Sequence, residues 1–132
     1  MARIIVIDDD RKLREVICRA LERAGYNVIE AADGRAGIRL YREQGGDLVV
    51  TDIFMPERDG LETIRLLRRE SPELKIVAIS GGDGAGRIDL QEEARLFGAA
   101  RTLGKPFEPG ELVKVVRDLL AETTPSTPTQ KS

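Results

Sequence analysis

Four short blocks of the sequence carry side chains that could bind and transfer a phosphoryl group. Three consecutive aspartates, Asp8–Asp10, follow one apolar run, and Asp52 follows another. Ser80 and Lys105 follow two more. Carboxylate oxygens bind hard cations such as Mg²⁺, and a carboxylate beside such a cation can act as a nucleophile toward phosphorus. A hydroxyl and an ammonium can stabilise phosphoryl oxygens. The set predicts cation-assisted transfer of phosphate to a side chain.

The cofactor prediction rests on charge. If Asp8, Asp9 and Asp52 lie together, their negative charges repel one another and raise the pKa of some of these groups. Lys105 offsets one charge, and one divalent cation would balance the rest. Mg²⁺ prefers oxygen ligands and commonly uses one or two carboxylates together with phosphate oxygens. We therefore predict Mg²⁺ as the cofactor.

Each of these residues also has an ordinary interpretation when it is taken alone. Asp10 is a candidate helix cap, and Asp52 could be a simple loop acid. Lys105 could be a solvated surface lysine, because charged side chains are mostly exposed. The functional interpretation is favoured because all of them fall at one edge of the predicted sheet.

The elements that must position these residues alternate along the chain. Between the apolar runs lie segments with helical periodicity, of which the first has Asp10 as a candidate N-cap and Gly25 as a stop. Asp59 is a candidate cap for the third helix. The predicted strands cover residues 3–7, 27–31, 47–51, 75–79 and 99–103, and the predicted helices cover about 13–24, 36–41, 61–68, 88–97 and 112–120.

This alternation predicts an α/β fold with a doubly wound, five-stranded parallel sheet and five helices. Ligands of such sheets bind beyond the carboxyl ends of the strands, where the candidate residues fall. We predict one domain over residues 1–122 and a disordered Thr/Pro-rich tail over residues 123–132.

Composition excludes several classes of protein. The chain has 132 residues and no histidine, which excludes Ser-His-Asp and Cys-His catalysis and histidine-ligated metals. The single Cys18 cannot form an internal disulfide, which is typical of a reducing compartment. The acidic pI near 5.3 argues against nucleic-acid binding. Apolar runs of about five residues are too short for a membrane span. No signal peptide is recognised, so we expect a cytoplasmic protein.

Taken together, the motifs resemble the receiver domain of two-component response regulators. The resemblance rests on IVIDDD (5–10), DLVVTDIFMP (47–56), the Asp59-Gly60 pair, Ser80 and KPF (105–107), and it covers about residues 3–121. It implies a flavodoxin-like receiver fold with strand order 2-1-3-4-5.

The resemblance also implies roles for the acidic residues. Asp52 would be the phosphoacceptor. Asp9 and Asp52 would ligate Mg²⁺ together with the backbone carbonyl of Phe54, and Asp8 would help through a bound water.

Further roles follow from the resemblance at the other strand ends. Ser80 would contact the phosphoryl group and move on activation, and Lys105 would pair with a phosphoryl oxygen. The Lys105–Pro106 peptide bond would be cis. Thr102 stands where the family often has an aromatic switch residue, so Ser80 and Thr102 are the candidate switch residues. Gly104 replaces a residue that is more often β-branched and predicts a short last strand.

The function implied is that of a phosphorylation-dependent switch, here expected to stand alone without an output domain. A histidine kinase or a histidine phosphotransfer protein would donate the phosphoryl group. An unidentified output protein would bind the surface of helix four, strand five and helix five. We expect no enzymatic activity beyond self-phosphorylation and auto-dephosphorylation, no binding to nucleic acid or membrane, and a monomer or weak dimer.

Two alternatives come from other classes of protein. A Mg²⁺-dependent phosphohydrolase would commonly need a second acid two residues after Asp52, where this chain has Phe54. An interaction module that no longer uses phosphate would not need the intact acidic set. A flavin-binding domain is disfavoured because the chain has no dedicated phosphate loop.

Three other features have simpler interpretations. The glycine-rich segment 81–86 predicts a flexible loop before helix four. Cys18 is predicted to be a structural or surface thiol. A group of basic residues on the first helix is predicted to be a solvated face: Arg11, Lys12, Arg14, Arg19 and Arg23.

Overall fold

The computed structural model describes residues 2–53, 59–80 and 91–122. The strands are β1 (Arg3–Ile7), β2 (Asn27–Ala31), β3 (Leu48–Asp52), β4 (Lys75–Ser80) and β5 (Arg101–Gly104). The helices are α1 (Arg11–Arg23), α2 (Gly34–Gln44), α3 (Asp59–Glu70), α4 (Gln91–Phe97) and α5 (Pro109–Ala121). The predictions for the Phe54 carbonyl, the loop 81–86, the first residues of helix four and the tail 123–132 lie outside the described residues.

The sheet has the predicted topology. Its order is β2-β1-β3-β4-β5, and every neighbouring pair is parallel. The prediction of a five-stranded parallel sheet with strand order 2-1-3-4-5 is therefore confirmed. β1 and β2 have the predicted bounds, whereas β3 and β5 lie one or two residues later than predicted.

Asp52 and Ser80 belong to the strands and not, as predicted, to the loops that follow them. Asp52 pairs with Ile79 across the sheet, and the Ile53 amide donates to the Ile79 carbonyl at 2.9 Å. Ser80 pairs with Gly104. The backbone ladder thus extends to the candidate site residues and fixes their main chains.

The sheet is covered on both faces by apolar side chains. Ile4 and Val6 of β1 face the layer of α1 and α5, whereas Ile5 and Ile7 face the layer of α2, α3 and α4. The strands at the centre of the sheet read as continuous apolar runs because both of their faces are buried. Among the described residues, no helix is long and apolar enough to cross a membrane.

Local signals set the helix ends. The Asp10 carboxylate accepts a hydrogen bond from the Leu13 amide at 3.2 Å and caps α1 as predicted. Asp33 caps α2 in the same way. Gly25 follows α1 with a φ of 102°, a conformation that favours glycine. Asp59 is the first residue of α3.

Gly60 allows α3 to approach the end of β3 closely. A Cβ atom at Gly60 would lie 2.3 Å from the Asp52 carbonyl oxygen and 2.5 Å from the Ile53 Cα atom. Both of these are backbone atoms, which cannot move aside as a flexible side chain would. The absence of a side chain at this position therefore brings α3 against the strand end that carries Asp52.

This packing predicts opposite effects of alanine at two glycines, each the second residue of its helix. Gly60→Ala should lower the free energy of unfolding by about 1–3 kcal/mol, because the new methyl group overpacks the backbone of β3. Gly110→Ala is the matched control: no atom lies within 4 Å of its Cβ position, so it should raise the free energy of unfolding by about 0.5 kcal/mol. Urea denaturation measures both values. Equal effects of the two substitutions would contradict the packing argument.

Candidate functional site

Three carboxylates meet at the carboxyl ends of the two central strands. Asp8 and Asp9 follow β1, and Asp52 ends the neighbouring β3. One oxygen from each carboxylate lies within 4.8 Å of the others. Asp8 and Asp52 are only 1% and 2% exposed, whereas Asp9 is exposed to solvent. The sheet thus brings the predicted acidic residues into one pocket.

Asp8 is held firmly in this pocket. Its amide donates to the Ala31 carbonyl at 3.1 Å, and its Oδ1 accepts from the Asp10 amide at 2.8 Å. Its Oδ2 is buried and has no hydrogen-bond partner among the described residues. A buried carboxylate oxygen without a partner normally requires an ion or a water.

Burial is the main cause that raises the pKa of Asp8 above its ordinary value. The hydrogen bond from the Asp10 amide and the charge of Lys105 oppose this effect, whereas Asp9 and Asp10 add to it. Ionised Asp8 is therefore destabilised by desolvation and by like charge. A cation in the pocket would offset both the lost solvation and the like-charge repulsion.

The donor set fits Mg²⁺. The three side chains offer only oxygen, which hard divalent cations prefer, and no nitrogen or sulfur ligand accompanies them in the described cluster. The unpartnered Oδ2 of Asp8 supplies an oxygen that no protein donor occupies within the described residues. The pocket is therefore suited to a hard cation.

Lys105 supplies a positive charge at the same pocket. Its Nζ lies 3.5 Å from Oδ2 of Asp52, and its side chain is 25% exposed. Its amide donates to the Ser80 carbonyl at 2.7 Å, which fixes the lysine backbone to the end of β4. The Lys105–Pro106 peptide bond is cis.

Ser80 ends the strand beside that of Asp52. The residue is fully buried, and among the described residues its Oγ has no hydrogen-bond partner. A buried hydroxyl without a partner costs free energy, commonly about 1–3 kcal/mol. The hydrogen-bonding capacity of this hydroxyl is therefore unused among the described residues.

Thr102 lies away from the acidic cluster and connects β5 to α4. Its Oγ1 donates to Oε1 of Gln91 at 2.8 Å and accepts from Nη1 of Arg95 at 3.1 Å. A Cβ atom at Gly104 would lie 3.2 Å from Nε2 of the same glutamine. The small residues at positions 102 and 104 thus make room for the Gln91 side chain across β5. The last strand is short, with four residues.

The sequence interpretation missed the role of Arg14. Its side chain is only 15% exposed, so its predicted place on a solvated basic face is wrong. The guanidinium donates to the Asp8 carbonyl at 2.7 Å and to Oε1 of Glu30 at 3.0 Å.

A sequence signal for Arg14 did exist. The buried residues of α1 are Ile17, Cys18 and Leu21, and position 14 continues their i+3, i+4 and i+7 spacing by one turn. Val16, an apolar residue within the predicted first helix, is 48% exposed. Cys18 is buried, and burial together with nearby Glu30 and Glu22 raises the pKa of its thiol to about 12.

With the geometry in place, comparison with known proteins identifies the family. The family model of the response regulator receiver domain matches residues 4–117. The chain therefore belongs to the family of response regulator receiver domains.

Similar proteins are response regulators. The chain is 41% identical over 123 residues to the response regulator MprA of Mycolicibacterium vanbaalenii, covering 93% of this chain and 52% of that protein. It is 34% identical over 120 residues to the response regulator receiver protein CpdR of Brucella abortus, covering 91% and 98%. The chain spans about half the length, or less, of the first curated relatives it matches.

Solved structures of response regulators have the same fold as this chain. The receiver domain of NtrX from Brucella abortus superposes with a TM-score of 0.82 at 27% identity, covering 91% of this chain and 99% of that domain. The chemotaxis protein CheY4 of Vibrio cholerae gives a TM-score of 0.79 at 28% identity, covering 89% and 98%.

The electrostatics of Asp8 predict a pH dependence of stability. A carboxyl whose pKa is raised in the folded protein destabilises the fold as pH rises from its unfolded value through its folded value. Asp8→Asn should therefore raise the free energy of unfolding of the metal-free protein at pH 7. The gain should shrink as pH falls toward 3.8, the ordinary value for this group.

Chemical denaturation at several pH values in a chelating buffer measures this effect. Asp118→Asn is the control, since Asp118 is an exposed aspartate of α5 outside the cluster. A gain that stays constant down to acidic pH would contradict the assignment of Asp8 as the strained carboxyl.

Proposed function

We propose that this receiver domain is a phosphorylation-dependent switch of two-component signalling, with Asp52 as its phosphoacceptor. The observation that carries the proposal is the Lys105 ammonium 3.5 Å from the Asp52 carboxylate, in a pocket shared with Asp8 and Asp9. Family membership supports it, because receiver domains take part in phosphotransfer signalling as a class.

Asp8, Asp9 and Asp52 would hold the Mg²⁺ ion, with the Phe54 carbonyl as a further ligand from outside the described residues. When bound, the ion supplies positive charge to the phosphoryl oxygens and balances the carboxylates. The Lys105 ammonium, 3.5 Å from the Asp52 carboxylate, would pair with a phosphoryl oxygen, and the Ser80 hydroxyl would donate a hydrogen bond to another.

The transfer step requires no acid or base from this chain. A carboxylate oxygen of Asp52 forms a bond to phosphorus while the phosphorus–nitrogen bond of a donor phosphohistidine breaks. The electron pair of that bond stays on the imidazole nitrogen, and the donor's other ring nitrogen keeps its proton, so that the leaving group is a neutral imidazole. The product is an acyl phosphate, which water later hydrolyses to the carboxylate and inorganic phosphate. We propose no enzymatic activity beyond this self-phosphorylation and auto-dephosphorylation.

Because this chain has no histidine, a phosphohistidine donor must lie outside it. We propose a histidine kinase or a histidine phosphotransfer protein as donor and an unidentified output protein as target. The target would read the surface of α4, β5 and α5, where the Thr102–Gln91 contact lies. The buried free Cys18 supports a cytoplasmic location.

Ser80 and Thr102 are the proposed switch residues. The Ser80 hydroxyl is unsatisfied among the described residues, so it would donate a hydrogen bond to an incoming phosphoryl oxygen. Ser80 pairs with Gly104 of β5, and its carbonyl accepts a hydrogen bond from the Lys105 amide. Thr102, which lies two residues before Gly104 on the same strand, binds Gln91 of α4. A shift of Ser80 would therefore displace β5 and alter the Thr102–Gln91 contact that joins β5 to α4.

The direct test is intact mass after incubation with Mg²⁺ and a small acyl-phosphate donor. The proposal predicts the addition of one phosphoryl group, which is lost in Asp52→Asn and in excess chelator. A phosphohydrolase would instead turn over many phosphoesters with little accumulated adduct, and a phosphate-independent interaction module would form no adduct. Either result would overturn the proposal.

Ser80→Ala separates the switch role from stability. Removing a buried hydroxyl that lacks a described partner should leave the unphosphorylated protein as stable as the parent or more stable by about 1 kcal/mol. The same variant should show smaller phosphorylation-dependent shifts of the Thr102 and Gln91 amides in two-dimensional NMR. Full-sized shifts in this variant would exclude Ser80 as the switch residue.

A further inference from the structure

We propose that Arg14 is a positioning residue for the acidic pocket: its guanidinium holds the peptide group between Asp8 and Asp9 and so sets where the Asp9 carboxylate stands. The inference rests on the proposed function of the pocket in binding a divalent cation. It concerns a side chain that touches neither the acceptor carboxylate nor the Lys105 ammonium.

The guanidinium bridges two elements. Its Nη1 donates to the Asp8 carbonyl oxygen at 2.7 Å, and its Nε donates to the Glu30 carboxylate of β2 at 3.0 Å. Because the guanidinium is planar and its donors are fixed relative to one another, the Glu30 contact orients the donor that reaches Asp8. The Arg14 side chain is largely buried, so water competes weakly for these bonds.

The contact completes the restraint of the Asp8 main chain. The Asp8 amide is already bound to the Ala31 carbonyl, and Oδ1 of Asp8 to the Asp10 amide. With the Arg14 bond, the amide, the carbonyl and one carboxylate oxygen of Asp8 are all held. The plane of the Asp8–Asp9 peptide group is then fixed, because its carbonyl oxygen cannot rotate without breaking a charge-assisted bond.

Asp9 depends on this restraint more than the other two acids do. Within residues 2–53, 59–80 and 91–122, no hydrogen bond or ion pair holds the exposed Asp9 carboxylate. Asp52 is held by the β3–β4 ladder, and Asp8 by its own hydrogen bonds. The position of Asp9 therefore follows from its backbone, which Arg14 orients. Groups that orient metal ligands in this way strongly affect metal affinity.

Arg11 is a control that distinguishes the effect of the Arg14–Asp8 hydrogen bond from a general effect of positive charge on α1. It carries the same charge in the same turn of α1, but its side chain is 80% exposed and pairs with Glu15 at the surface. If Arg14 acted only through its charge, removing Arg11 would produce a similar effect. If the hydrogen bond to the Asp8 carbonyl is what matters, substitution of Arg14 will weaken Mg²⁺ binding and substitution of Arg11 will not.

The test is titration calorimetry of Mg²⁺ with the parent chain, Arg14→Gln and the matched control Arg11→Gln. We expect Arg14→Gln to bind Mg²⁺ about ten-fold more weakly. Arg11→Gln should stay within about two-fold of the parent, because exposed charges interact weakly. Arg14→Lys, which keeps the charge but cannot make both bonds in the same geometry, should also lose affinity. Equal losses in Arg14→Gln and Arg11→Gln, or no loss in Arg14→Gln, would overturn the proposal.

Amide hydrogen exchange of the metal-free proteins provides a second readout that does not depend on the cation. Arg14→Gln should speed exchange at the Asp10 amide, which is bonded to Asp8, while Arg11→Gln leaves it unchanged. Failure of the parent to bind Mg²⁺ would overturn the proposed function, yet this exchange result would still decide whether Arg14 holds the loop. If Arg14→Gln fails to fold, Arg14→Lys is measured in both assays, and parental affinity and exchange in that variant would refute the positioning role.

Discussion

Like charge held in a poorly solvated pocket is the constraint around which the rest of this protein is arranged. Asp8 and Asp52 are almost fully buried and share their pocket with Asp9, and the Lys105 ammonium offsets only part of the negative charge. Burial raises the pKa of Asp8, which shows that the fold holds this group against its preference for water. The same unrelieved negative charge makes the pocket receptive to a divalent cation, which together with Lys105 would offset the charge of phosphate oxygens.

A rigid frame is needed to keep repelling groups together, and the central sheet provides it. β1 and β3 are neighbours, their apolar side chains are buried on both faces, and the ladder of hydrogen bonds continues to Asp52 itself. Helices then approach the strand ends from both sides, α3 through the close contact of Gly60 and α1 through the guanidinium of Arg14. The acidic residues are therefore placed by elements with little freedom to move, as precise binding sites require.

This chain joins α4 to β5 with a polar contact. Thr102, Gln91 and Arg95 form a hydrogen-bonded group, and Gly104 leaves space for the glutamine amide. Hydrogen bonds of partly exposed side chains can exchange with water at low net cost. The attachment of α4 can consequently change without repacking an apolar core, which suits the partner-binding role that we propose for this surface.

The sequence by itself determined the alternation of strands and helices and the grouping of the acidic residues with Ser80 and Lys105, because apolar periodicity is local and parallel strands end at a common edge. The receiver fold followed from the resemblance of the motifs to that family. Only the tertiary structure decided that Arg14 is largely buried and Val16 exposed, that one Asp8 oxygen lacks a described partner, and that Thr102 binds Gln91. Helical periodicity leaves the direction of the buried face uncertain by one position. The side that faces inward is set by where β2 and α5 pack against the helix, and that depends on contacts between residues far apart in the chain.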